Sequence, residues 1–257
     1  MAELAHEPPT TAVEASQPGL NATASAWAKD AEGSSGLLIE RLLREPENIW
    51  RQVGAERELG SLIRQLVVAS SVPLAVHGAV LGAASGVLQA VASAVKLPLL
   101  FLLTLAICLP ALYLFNLVFG SRLRASQTLA VVLAAIATTG VLTLGFAPIS
   151  VFFLLSAPNY AFYKLLNVAI LTLTGIAGLR TLVKGMDAVG SLAPAGSSAG
   201  SHRLLLRSWL IVYAFVGTQL AWTLRPFFGA PGLPFELFRK LEGNFYINVI
   251  QTIFGGG

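Results

Sequence analysis

Four ionisable side chains fall in or beside long apolar stretches of this 257-residue sequence: His77, Lys96, Lys164 and Arg225. Charge inside hydrocarbon is costly enough to suggest a use, and one use open to three cations and a histidine is to line a pathway for an anion. The alternative is anchorage. Lys96, Lys164 and Arg225 sit near segment ends, where long basic side chains reach lipid headgroups, and Trp222, Phe227 and Phe228 supply the aromatic belt of such a boundary. His77 is deeper, where a neutral imidazole can hydrogen-bond across helices, as can Asn116, Asn159, Asn167 and Gln219.

Reactive chemistry has less to work with. No Asp or Glu occurs between Glu58 and Asp187, which removes paired carboxylates for acid–base catalysis and embedded acids for cation coupling. His6, His77 and His202 are too scattered for metal-ligand spacing, and Cys108 is a lone cysteine within an apolar run, expected to be a buried small hydrophobe. There is no glycine-rich phosphate loop ending in Lys-Ser or Lys-Thr. Near the C-terminus Glu236, Arg239 and Glu242 could serve a lipid-directed enzyme, but nothing in the pattern arranges them. The expectation is a protein that is not an enzyme and carries no cofactor.

The elements that position these residues follow from composition. The chain is 55% hydrophobic and 12% charged, against about 25% charged for a soluble domain, and its mean hydropathy is +0.71. Five apolar segments approach the roughly 20 residues that cross the hydrocarbon core: Leu66–Ala92, Leu97–Phe119, Thr128–Ala147, Tyr160–Val183 and Leu204–Leu224. The fold class is therefore all-α, a polytopic transmembrane bundle of about five spans with amphipathic interfacial helices at both ends. Residues 1–35 read as a disordered cytoplasmic tail. Residues 36–65 read as amphipathic helices with a new start at Pro46, lying on the membrane surface or folded against the bundle. Residues 66–225 form the membrane domain, with a flexible loop at 185–201, and residues 226–257 form an interfacial amphipathic segment. Pro73 and Pro110 are expected to kink the first two spans, and the short stretch at 148–158 is expected to be re-entrant or interfacial.

No basic and apolar leader pattern opens the sequence, so the first membrane helix is expected to direct insertion. Arg122, Arg124, Arg180, Lys184, Arg203 and Arg207 fall on alternate connections, which places the N-terminus in the cytoplasm and the C-terminus outside. The net charge of +4 is dispersed between apolar blocks, so anionic lipids rather than nucleic acid are the expected partners.

Packing is signalled by HGAVLGAASGVLQAVASA at 77–94, where Gly78, Gly82, Gly86, Ala90 and Ala94 recur every fourth residue. Lipid gives apolar contact no hydrophobic advantage, so helices associate by close approach, which small residues at this spacing permit. The expected partner is another helix of the chain or a second copy.

The stretches ASAVKLPLLFLLTLAICLPALYLFNLVFGS, APISVFFLL, YKLLNVAI and GTQLAWTLRPFFGAPGLPFELFRKLEGNFY resemble a group of bacterial polytopic membrane proteins of uncharacterised function, over roughly Val91 to Val249. Members often bear the label of actin-binding WH2-domain proteins, which implies actin as partner. That motif needs a Leu-Lys-Lys-Thr-like step after a short helix, and none occurs in this sequence, so actin binding is not expected. The layout of a cytoplasmic tail and five spans is similar to the Yip1 family of membrane-trafficking proteins. The expected function is a non-enzymatic scaffold or subunit of a membrane assembly in the bacterial inner membrane, partnered by lipids and by another membrane protein or itself. The alternative is a channel or permease for an anion or neutral solute.

Overall fold

The computed structural model describes residues 38–118, 124–156, 160–191, 199–229 and 237. Among these are seven helices and no strand: α1 (residues 38–44), α2 (Pro46–Gly54), α3 (Leu59–Ala83), α4 (Val87–Val118), α5 (Ala125–Ser156), α6 (Tyr160–Ser191) and α7 (Ala199–Leu224). The expected tail at 1–35 and most of the C-terminal segment lie outside the described residues.

Four helices are long and apolar enough to cross a membrane, namely α3, α4 over Val87–Ala111, α5 and α6. Helix α7 has 26 residues, of which Ser208–Leu224 is the apolar part. Helix α3 packs against both α4 and α5, α6 packs on α5, and α7 packs on α4. Helix α5 is buried at every position from Ala130 to Gly140, and small residues such as Ala130, Ala134, Ala137 and Gly140 let its neighbours close around it.

The chain turns where the sequence suggested a continuous first span. The expected Leu66–Ala92 helix is instead the end of α3, a turn, and the start of α4. Gly86 sits in that turn at φ +115°, a backbone conformation that side-chain-bearing residues rarely adopt. The small-residue stripe thus folds back on itself. A Cβ on Gly82 would fall 2.3 Å from the Gln89 carbonyl oxygen and 2.7 Å from Ala90 Cα, and one on Gly78 would fall 2.3 Å from the Ser93 carbonyl oxygen and 3.1 Å from Ala94 Cα. Gly82 faces Ala90 and Gly78 faces Ala94, symmetrically about Gly86, so the partner of the glycine groove is the next helix.

Other boundaries also shift. Residues 59–65 belong to α3, with no break before the apolar part. Residues 148–156 continue α5 through Pro148, so no re-entrant piece forms there, and residues 157 and 158 lie outside the described set. Residues 185–191 of the expected loop are the end of α6, because Met186 and Val189 bury themselves there while Trp50 of α2 and Val131 of α5 both close on Gly185. Pro73, Pro98 and Pro110 lie inside helices that continue past them. The start at Pro46 is as expected, with proline in the first turn, where its missing N–H leaves no helical bond unmade. Helix α2 buries Ile49, Trp50 and Val53 and leaves Arg51 exposed.

The α5–α6 contact is a ladder of small and polar groups. A Cβ on Gly178 would lie 2.0 Å from Thr139 Oγ1, Thr143 and Thr174 share a hydroxyl hydrogen bond of 2.9 Å, and Ser150 donates to Asn167 Oδ1 at 2.8 Å. Each advance along α5 matches an equal retreat along α6, as an antiparallel register requires. Thr143→Val is expected to lower stability in detergent by about 1 kcal/mol, the scale of hydroxyl bonds between membrane helices. A double-mutant cycle with Thr174→Val, read by melting, should show coupling, and strictly additive losses would remove the bond from the account.

Candidate functional site

Helix α7 ends at Leu224 and is followed by Arg225 and Pro226. The last carbonyls of a helix have no partner within it, and proline offers no N–H to continue the ladder. Carbonyls left bare in apolar surroundings are costly, so donors must come from elsewhere. For the carbonyls of residues 226–228, just beyond the helix, they come from the α3–α4 hairpin. Ser85 Oγ donates to the Phe228 carbonyl at 2.7 Å, and Gln89 Nε2 to the carbonyls of Pro226 at 2.8 Å and Phe227 at 3.3 Å. Ser93 Oγ donates to the Phe227 carbonyl at 2.5 Å. Lys96 Nζ donates to the carbonyls of Pro226 at 3.3 Å and of Leu237.

Gln89, Ser93 and Lys96 recur at helical spacing, so one face of α4 presents all three. They are buried, with Lys96 only 4% exposed. Helix α6 closes the other side: Tyr160 donates its hydroxyl to the Gly229 carbonyl, and the Tyr163 ring meets Phe228 edge-on at 6.3 Å while its hydroxyl donates to the Val80 carbonyl at 2.7 Å. Gly229 has φ +67°, and a Cβ there would fall 2.6 Å from Ser85 Cβ. The result is a clasp that ties residues 226–229 across α3, α4 and α6.

The residues expected to form a pathway or an anchor are distributed around this end. Lys96 is not in a connection between spans but inside α4, committed to main-chain carbonyls. Lys164 is exposed, its ammonium 4.8 Å from the Tyr160 ring centroid. Arg225 stacks 3.5 Å over the Trp222 ring, a cation–π contact. His77 is fully buried in α3, and among the described residues neither ring nitrogen has a hydrogen-bond partner, so the expected bond across helices is not made there. Of the expected polar contacts, Asn167 makes its bond, while the Asn116 side chain and Asn159 fall outside the described residues. The clasp donors Ser85, Gln89 and Ser93 were not singled out in the sequence. Their signal was polar residues repeating every four positions, from the turn into α4, in an otherwise apolar stretch.

Between α7 and the α5–α6 pair, beside α4, lies an apolar cavity of about 330 Å³, walled by Phe101, Ile136, Gly178, Leu182, Trp209 and Tyr213 among others. Its polar groups are already engaged: Thr139 Oγ1 donates to the Ala135 carbonyl at 3.0 Å, Trp209 Nε1 to that of Cys108 at 3.1 Å, and the Tyr213 hydroxyl to that of Phe101 at 3.2 Å. His77, Lys164 and Arg225 do not line it. Among the described residues no group of three or more His, Cys, Asp or Glu side chains is placed to hold a metal ion. The chemistry of this site is donation to main-chain carbonyls, which holds one chain segment to another.

The chain matches no family model, no curated protein and no solved structure, so its class rests on its own helices: an all-helical protein with four helices long and apolar enough to cross a membrane.

Proposed function

We propose that this protein is a non-enzymatic, five-span scaffold or subunit of a membrane assembly in the bacterial inner membrane, with its N-terminus cytoplasmic and its C-terminus outside. The observation that carries this reading is how polar groups are used. Thr143, Ser150, Asn167 and Thr174 are spent pairing α5 with α6, and Gln89, Ser93 and Lys96 on the clasp. Outward faces stay apolar, as at Val87, Leu88, Val91 and Val95 of α4 and Leu165, Val168 and Leu173 of α6. Such faces suit lipid and partner helices of a second membrane protein or another copy. The fifth span is α7, whose apolar part, Ser208–Leu224, reaches the short end of the spanning range.

Liposomes holding the purified protein should pass chloride and glycerol no faster than empty ones. A saturable flux abolished by Lys164→Gln or Arg225→Gln would replace the scaffold with a channel or permease. A photo-crosslinking residue at Leu99 or Leu165, both exposed, should give discrete larger species in native membranes, and absence of any would count against an assembly. For topology, Leu20→Cys and Ile250→Cys are placed singly in a Cys108→Ala background and treated with an impermeant maleimide in intact cells. The expected result is labelling at 250 and protection at 20; equal labelling would rule out an odd number of spans.

A further inference from the structure

We propose that an arginine-lined basin at the α1–α2–α3 corner binds the phosphate of an anionic lipid headgroup. The basin is open, about 1,110 Å³, and lined by Arg41, Asn48, Arg51, Gln52, Arg57 and Glu58. Its guanidinium groups come from three different segments: α1, α2 and the α2–α3 turn. The ion pairs in this part of the chain engage other residues, Arg44 with Glu40 at 3.4 Å and Arg124 with Glu56. Among the described residues Arg41, Arg51 and Arg57 have no carboxylate within ion-pair distance. Glu56, which could have neutralised them, is drawn away by Arg124, and Glu58 is the one carboxylate of the lining.

The arginines are also held in place. Arg51 donates to Asn48 Oδ1 at 2.5 Å, and Asn48 in turn donates to Glu45 at 2.6 Å. Arg41 donates to Gln52 Oε1 at 3.4 Å, and Gln52 Nε2 donates to the Arg57 carbonyl at 3.2 Å. The turn that brings Arg57 round has two non-glycine residues with positive φ, Glu56 at 55° and Glu58 at 49°, a conformation that persists only where the surroundings hold it.

Position selects the source of the phosphate. The face of α2 opposite Arg51 is driven into the bundle by Ile49, Trp50 and Val53, with Trp50 against Gly185 of α6. Glu58 is followed directly by Leu59, the first residue of α3. The basin therefore opens where a spanning helix begins, at headgroup depth, on the side that the orientation proposed above assigns to the cytoplasm. Anionic lipids are concentrated in that leaflet, and a planar guanidinium donates two parallel bonds to a phosphate. The proposal rests on α3 and α5 being spans; it does not depend on whether the chain is a scaffold or a channel.

The test is native mass spectrometry of the full chain in neutral detergent with phosphatidylglycerol or phosphatidylcholine added at equal amounts. One phosphatidylglycerol should be retained preferentially, and Arg41→Gln/Arg51→Gln/Arg57→Gln should weaken that retention by about tenfold or more, in line with the loss of charge-assisted contacts to phosphate. Arg44→Gln, outside the basin, should retain it like the parent. Should the triple variant not fold, Arg57→Gln alone, on an exposed turn residue, should give a smaller loss at an unchanged melting temperature. Equal retention of the two lipids, or a variant that retains phosphatidylglycerol like the parent, overturns the site. Inorganic phosphate in large excess should not displace the lipid, and displacement would overturn the lipid in favour of a free anion. Failure of the maleimide topology test would instead revise the number or orientation of the spans and would leave lipid retention as it is.

Discussion

Gly82→Leu should leave a protein that inserts into the membrane but melts far below the parent, with a loss of about 3 kcal/mol or more. The added Cβ alone would meet the Gln89 carbonyl oxygen at 2.3 Å and Ala90 Cα at 2.7 Å. Both belong to the backbone of α4, which no side-chain rotation can move aside. Overpacking a close-packed site commonly costs about 1–3 kcal/mol when side chains can adjust, and more when they cannot. The α3–α4 contact would have to open as a whole, taking with it the donors of the clasp. Gly145→Leu is the matched control, since that glycine is also on a membrane helix but a Cβ added there would meet nothing within 4 Å. Thermal melting in detergent of both variants checks the claim. If Gly82→Leu melts with Gly145→Leu, the α3–α4 hairpin is not packed at these glycines. Gly86→Ala should fall between the two, because its cost is the strain of φ +115° with no clash.

The second large effect is expected from opening the clasp with Gln89→Leu/Ser93→Ala. The Phe227 carbonyl would lose its donors from α4, and Pro226 would lose its 2.8 Å bond. Leaving a part-buried acceptor unpaired costs about 1–3 kcal/mol; the Phe227 carbonyl is left so while Pro226 keeps its bond from Lys96, so stability should fall by about 2 kcal/mol. Release of residues 226–229 should also expose the Phe227–Phe228 bond. Limited chymotrypsin digestion in mild detergent should therefore cut there faster in the variant than in the parent. Thr172→Val, which removes an exposed hydroxyl bonded within its own helix, should change neither melting nor cleavage. Equal cleavage of the clasp variant and the parent would mean that the segment is held by something other than α4.

By itself the sequence determined what depends on neighbouring residues alone. A run of about 20 apolar residues must be helical in hydrocarbon, because only a helix satisfies its own backbone, and this made α3 to α6 legible as apolar helices. Pro46 marked a helix start because proline tolerates the first turn and little else. The four-residue spacing of Gly78 and Gly82 announced close packing because helical periodicity places them on one face. The tertiary structure decided where each pattern was used. Small residues favour a groove and a turn alike, so local pattern could not show that Gly86 reverses the chain and that Ala90 and Ala94 become the partner of Gly82 and Gly78. Lys96 resembled a loop cation because hydropathy scores its charge without its partners, which are carbonyls 130 and 141 residues away. Gln89 and Ser93 were silent for the same reason, with acceptors 134 to 138 residues on. A donor's role is fixed by the acceptor it meets, and contacts across such separations exist only once the helices have packed.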